Sequence, residues 1–152
     1  MNEDQLHVAL QAEYFQLQKV VEDMDGRAVT VKAWSVSFSL VAIAGAFAST
    51  RIHVLLLACV SALIFWWIEA RWKTFQDAYY GRIDEIERHF RDEKKLESAL
   101  QIRTSWYKYW KGGGKKRLWQ IMLWPHVALP HVIVAVLGLV LYLLAQFKVV
   151  QL

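Results

Sequence analysis

Three apolar runs organise this chain, over residues 33–50, 52–70 and 127–147. Each approaches the roughly 20 residues that a helix needs to cross about 30 Å of hydrocarbon. The first run holds no Lys, Arg, Asp or Glu, the second holds only Glu69, and the third has Gln146 as its one strongly polar side chain. Upstream, Leu6, Leu10, Tyr14, Leu17, Val21 and Met24 recur at steps of three and four, which predicts an amphipathic helix over residues 4–25. No proline separates it from the first run and Gly26 is the only weak point, so the helix either bends there or continues. From Arg71 the helical pattern runs without proline to about Lys111, with Phe75, Tyr79, Ile83, Ile86 and Phe90 as a stripe, followed by Leu96, Leu100, Arg103 and Tyr107. As one helix this segment would reach about 60 Å at the usual rise per residue. A stripe that long must be covered, either by folding back near Asp92 or by pairing with the N-terminal helix and neighbouring subunits. Gly112, Gly113 and Gly114 mark the one clear break.

The expected fold is all-α: an integral membrane protein with three transmembrane helices and long cytoplasmic helical extensions. Residues 1–32 form an amphipathic cytoplasmic helix and residues 33–70 a transmembrane hairpin. Residues 71–126 are a charged cytoplasmic segment with a Gly-rich break and a basic-aromatic interfacial stretch. Residues 127–152 are the third span and a short external tail, with Pro125 and Pro130 as features that would also suit a re-entrant segment. With 56% hydrophobic residues and so much of the chain assigned to lipid, no ordinary enzymatic domain fits in the remainder. Function is therefore expected to need self-assembly or a partner. The acidic start, Glu3 and Asp4, is unlike a signal peptide, and Cys59, the only cysteine, reads as an apolar filler.

Charge sets the expected topology. Thirteen of the 18 basic residues fall within 71–126, against Arg51 alone in the first turn and Lys148 alone after the third run. Flanks rich in Lys and Arg stay cytoplasmic, which places the N-terminus and residues 71–126 inside and the C-terminus outside. The pI near 9.2 is then an orientation signal rather than a nucleic-acid footprint.

Several groups are candidates for chemistry. Ser35, Ser39, Ala42, Gly45, Ala46 and Ser49 make small-residue steps that let helix backbones approach closely, as a pore lining, an oligomer seam, or packing against the second span. Glu69, Arg71 and Lys73 lie at the membrane boundary, where a carboxylate needs a cation or water, and spacing nominates a helix-end contact from Glu69 to Lys73. Lys115, Lys116 and Arg117, with Trp119 and Trp124, read as a lipid-binding segment docking on anionic headgroups. Arg82 and His89 fit the loose Arg–x–His spacing of HEPN-type ribonucleases, a pattern that a solvated helix face also produces. The five histidines are scattered without metal-ligand spacing, and no motif supports catalysis, so no catalytic residue, metal or cofactor is expected.

The helical N-terminus running through Thr30-Val31-Lys32-Ala33-Trp34 into a small-residue span, the tight hairpin and the charged extension resemble small multi-span bacterial effectors of antiphage systems. These are the SLATT-like and Cas13b-associated membrane proteins, to whose two-span pattern this chain adds a third span. The resemblance implies a homo-oligomeric inner-membrane pore or channel-like protein that perturbs the membrane in defence. The alternative is a non-conducting scaffold whose cytoplasmic helices recruit a soluble protein. Anionic lipid is the expected partner, and nucleic acid is not.

Overall fold

A computed structural model describes residues 2–149, the Lys115 side chain excepted. It is all-helical, with α1 (Glu3–Ser49), α2 (Val54–Phe90), α3 (Ile102–Met122) and α4 (Pro125–Gln146) among the described residues. α1, α2 and α4 are long and apolar enough to cross a membrane. α1 passes through Gly26 as helix, whereas α3 is broken at Gly114, whose φ of 53° lies in the left-handed region.

The expected helix from Arg71 to Lys111 is not continuous. α2 stops at Phe90, and the chain folds back near Asp92, which adopts φ 57°. The Glu93 N–H bonds the Arg88 carbonyl and the Asp92 N–H bonds the His89 carbonyl, so the last carbonyls of α2 are satisfied by a Schellman turn. A run of mixed charge reads as helix or as loop, and only the left-handed residue tips it.

The chain forms two compact units. The first is built from Met1–Arg27 and Trp72–Leu118. Its core joins Leu10, Leu17 and Val21 of α1 to Ile83 and Ile86 of α2 and to Ala99, with Leu6, Tyr14, Tyr79, Leu96 and Ile102 around them. The stripe predicted for residues 4–25 is thus the face that α1 buries. α3 is held by a sheaf of rings: Trp106 and Trp110 stack at 5.5 Å, Phe75 and Tyr79 lie beside them, and the Trp106 indole N–H bonds the Phe75 carbonyl.

The second unit comprises Ala28–Arg71 and Trp119–Leu152. Thr50, at φ 55°, helps turn the chain between α1 and α2. Contacts fix the arrangement of α4: Glu69 meets His131, Cys59 meets the Ala135 carbonyl, and His53 faces Tyr142. As α2 numbers fall, α4 numbers rise, so the two are antiparallel. Small residues make the approach close. A Cβ added at Gly138 would stand 3.0 Å from Cys59 Sγ and 3.4 Å from the Leu55 carbonyl. Large apolar side chains, among them Phe38, Val41, Leu57, Ile64, Ile133 and Leu137, point outward. A water-soluble unit would turn them in, and lipid accepts them.

Candidate functional site

The three long apolar helices of the second unit enclose a polar chain. Glu69 of α2 and Ser35 of α1 are fully buried, and His131 of α4 is 1% exposed. Glu69 Oε2 lies 2.9 Å from His131 Nε2, and His131 Nδ1 lies 2.8 Å from Ser35 Oγ. Glu69 Oε1 lies 2.9 Å from Lys32 Nζ, an ion-pair contact whose angle falls short of a directed hydrogen bond. Lys32 alone reaches the rim, its side chain 23% exposed. One turn further along α1, Ser39 lies 3.4 Å from the Ala58 carbonyl and 3.3 Å from Ser61 Oγ.

Each helix supplies its member for a local reason. Residues 32, 35 and 39 fall on one stripe of α1 because steps of three and four share a helix face. Pro125 opens α4, where a missing N–H costs least, and Pro130 lies inside the helix directly before His131, where it removes one i→i−4 bond. The antiparallel order then brings residues 32, 69 and 131 to the same end of the unit.

Connectivity assigns the protons. Nε2 faces a carboxylate and so carries hydrogen; Nδ1 then accepts from the Ser35 hydroxyl, or carries a second proton and donates to it. The Ser–His–Glu order is that of a hydrolase triad. Yet Ser35 lies inside a helix whose backbone N–H groups are already paired, and its Oγ is buried, which leaves neither oxyanion donors nor room for a substrate.

The residues singled out from sequence distribute as follows. Ser35, Ser39 and Ala46 face inward and pack within the unit, Ala42 and Gly45 are half-buried, and Ser49 is exposed and donates to the Gly45 carbonyl at 2.7 Å. Glu69 takes Lys32 and His131 in place of the Lys73 that spacing nominated, because a three-helix packing offers a closer cation. Lys73 belongs to the first unit, ion-paired with Asp25 and bonded to Gln76 at 2.7 Å. Arg71 is half-buried. Arg117 grips Asp77 with two nitrogens, at 2.7 Å and 2.5 Å, so it is not free for headgroups in this arrangement. Lys116 is exposed, Trp119 is 64% exposed, and Trp124 lies beside the His126 ring at 5.4 Å. The Lys115 side chain lies outside the described residues.

Arg82 is likewise committed. Its guanidinium meets Glu13 at 3.0 Å and 3.1 Å, Glu85 at 3.4 Å and the Ser98 carbonyl at 3.2 Å. Glu13 also accepts the N–H groups of Leu100 at 2.7 Å and Gln101 at 3.2 Å, placing a carboxylate at the start of α3 where the helix dipole favours it. Burial works against ionised Glu85, but hydrogen bonds from Lys94 and Tyr109 and the charges of Lys94 and Lys108 outweigh it, and hold the carboxyl down to about 2. Burial, then the bond to Glu85, pushes the Tyr109 phenol up to about 12. His89 Nδ1 accepts the Leu96 N–H. Arg82 is 3% exposed, and its guanidinium bonds Glu13, Glu85 and the Ser98 carbonyl within the unit.

Sequence reading placed Glu69 and Ser35 in different groups and left His131 among the scattered histidines. One signal joins them: the only acid in the apolar runs, a lysine just before the first run and a histidine early in the third all fall at one end of three antiparallel spans. No family model matches the chain, and neither does any curated protein or solved structure.

Proposed function

We propose that this chain is an integral membrane protein that assembles as a homo-oligomer and makes a bacterial inner membrane permeable to ions. The observation that carries the proposal is the complete burial of Glu69 and His131, with Lys32 beside them, inside helices otherwise built for lipid. Ionisable groups buried between lipid-facing helices are costly, and they are kept where they pair with one another or where ions or protons pass. The positive-inside bias puts the N-terminus and residues 71–126 in the cytoplasm and the C-terminus outside. Ala33, Ser37, Ala44 and Ala48 form a second small-residue stripe on the exposed face of α1, which suits a seam between copies. The resemblance to antiphage effectors supports a role in defence, and Lys116 with Trp119 supports contact with anionic lipid.

The test is current across planar bilayers holding the purified protein, with oligomer mass read by native mass spectrometry. Wild type should conduct as an oligomer, and Glu69→Gln should change the conductance while the mass stays the same. A monomer that passes no current would refute the proposal. The scaffold reading has its own observation, an apolar groove in the first unit between Phe15 and Phe90, lined also by Gln11, Tyr14, Glu87 and Arg91. A stoichiometric soluble partner recovered without any ion leak would favour it.

A further inference from the structure

Resting on that reading, we infer that the ion moved is the proton and that His131 carries it between Ser35 and Glu69. The polar chain is continuous at hydrogen-bond distance, 2.8 Å on one side of the imidazole and 2.9 Å on the other. Ser35, Glu69 and His131 are 0–1% exposed, which leaves no room among them for a hydrated metal cation, whereas a proton needs only the bonds already present. The charged groups facing His131 are Lys32 from α1 and Glu69 from α2, a pair with no net charge. A proton added to the imidazole therefore meets a carboxylate on its Nε2 side.

Ser35 is what lets the site exist in both states. With His131 neutral, the Ser35 hydroxyl donates to Nδ1. With His131 protonated, Nδ1–H donates to Ser35 Oγ, since a hydroxyl both donates and accepts. Passage balances when the Ser35 O–H bond breaks and its proton bonds Nδ1, the Nε2–H bond breaks and its proton goes to Glu69 Oε2, and a proton from the aqueous phase replaces the one Ser35 gave up. The neutral carboxyl releases it to water at the Lys32 rim, and the ring turns to restore the starting tautomer. Ser39 and Ser61 form a second hydroxyl pair one turn further along α1, at 3.3 Å.

The experiment uses the full chain in liposomes with a pH-reporting dye inside, and a parallel set reporting K⁺ efflux. Ser35→Ala and His131→Gln should each cut proton flux by about 100-fold or more, the scale on which positioned proton carriers act. Ser35→Thr, which keeps the hydroxyl, should retain it. All three variants should elute and give helical circular dichroism as wild type, and Ser35→Thr keeps the test valid should His131→Gln fold poorly. K⁺ efflux that matches proton flux, with both unchanged in Ser35→Ala, would overturn this inference and leave the permeability proposal standing. Vesicles that leak neither ion would overturn both.

Discussion

Arg82→Met isolates the ion pair that ties α1, α2 and the start of α3 together in the first unit. The Arg82 side chain is 4% exposed and that of Glu13 is not exposed at all, so neither keeps solvent as a substitute partner. Removing one member of a buried pair costs about 3–5 kcal/mol, mostly because the survivor stays charged and uncompensated. Two features move the expectation to the low end. Methionine replaces much of the apolar stem, and Glu13 keeps the Leu100 and Gln101 N–H groups. Glu85 is spared as well, since Lys94, Lys108 and Tyr109 remain on it. We expect a loss of about 3 kcal/mol, equivalent to roughly 150-fold in the opening equilibrium at 1.36 kcal/mol per decade. Hydrogen exchange of peptides covering residues 96–105 in detergent-solubilised protein reads that opening directly. Adding Glu13→Gln removes the stranded charge and should return about 1–2 kcal/mol, a coupling expected of residues in one network. A change under about 0.5 kcal/mol in the single variant, the range of ordinary surface substitutions, would mean that the pair does not hold the unit.

Three further outcomes follow. Glu85 has its carboxyl lowered from 4.5 to about 2, so its contribution to folding is complete above pH 4.5 and is lost as pH falls toward 2. Acid titration of the first unit should show this loss, and Glu85→Gln should abolish that limb of the profile. Gly138→Leu should separate α4 from α2, because even a Cβ meets Cys59 Sγ and the Leu55 carbonyl. A lower melting temperature in detergent checks it, while Gly138→Ala should cost less, since only the cysteine must yield. Lys116→Gln should weaken retention of anionic lipid by about 1 kcal/mol in a salt-dependent way, while Arg117→Gln should instead destabilise the first unit by freeing Asp77. Lipid carried through purification separates the two.

What could be read from sequence follows from which forces leave a one-dimensional trace. Lipid-facing helices must be apolar over their whole length, so the runs 33–50, 52–70 and 127–147 already mark α1, α2 and α4 where they are long and apolar enough to span. The stripe from Leu6 to Val21 was legible for the same reason, since helical periodicity records the buried face. The end of α2 was not legible: Asp92 and its neighbours carry no proline or glycine, and the turn rests on one left-handed residue. Nor were the ion pairs. Spacing displays the partner four residues away and hides the one 62 positions away, so Glu69 was matched to Lys73 rather than to His131. Ser35 and His131 stand 96 positions apart, and only the antiparallel packing of α4 makes them neighbours.

The central claim is that α1, α2 and α4 carry the Lys32–Glu69–His131–Ser35 chain into a bilayer. Thiol labelling tests it most directly, with single cysteines at three exposed ends of the second unit, Thr50→Cys, Leu123→Cys and Phe147→Cys, in a Cys59→Ala background. Intact bacterial spheroplasts are treated with a membrane-impermeant maleimide. The account predicts labelling at residues 50 and 147, and labelling at residue 123 only after the membrane is opened. Equal labelling at all three positions in intact spheroplasts, or recovery of the protein outside the membrane fraction, would contradict it.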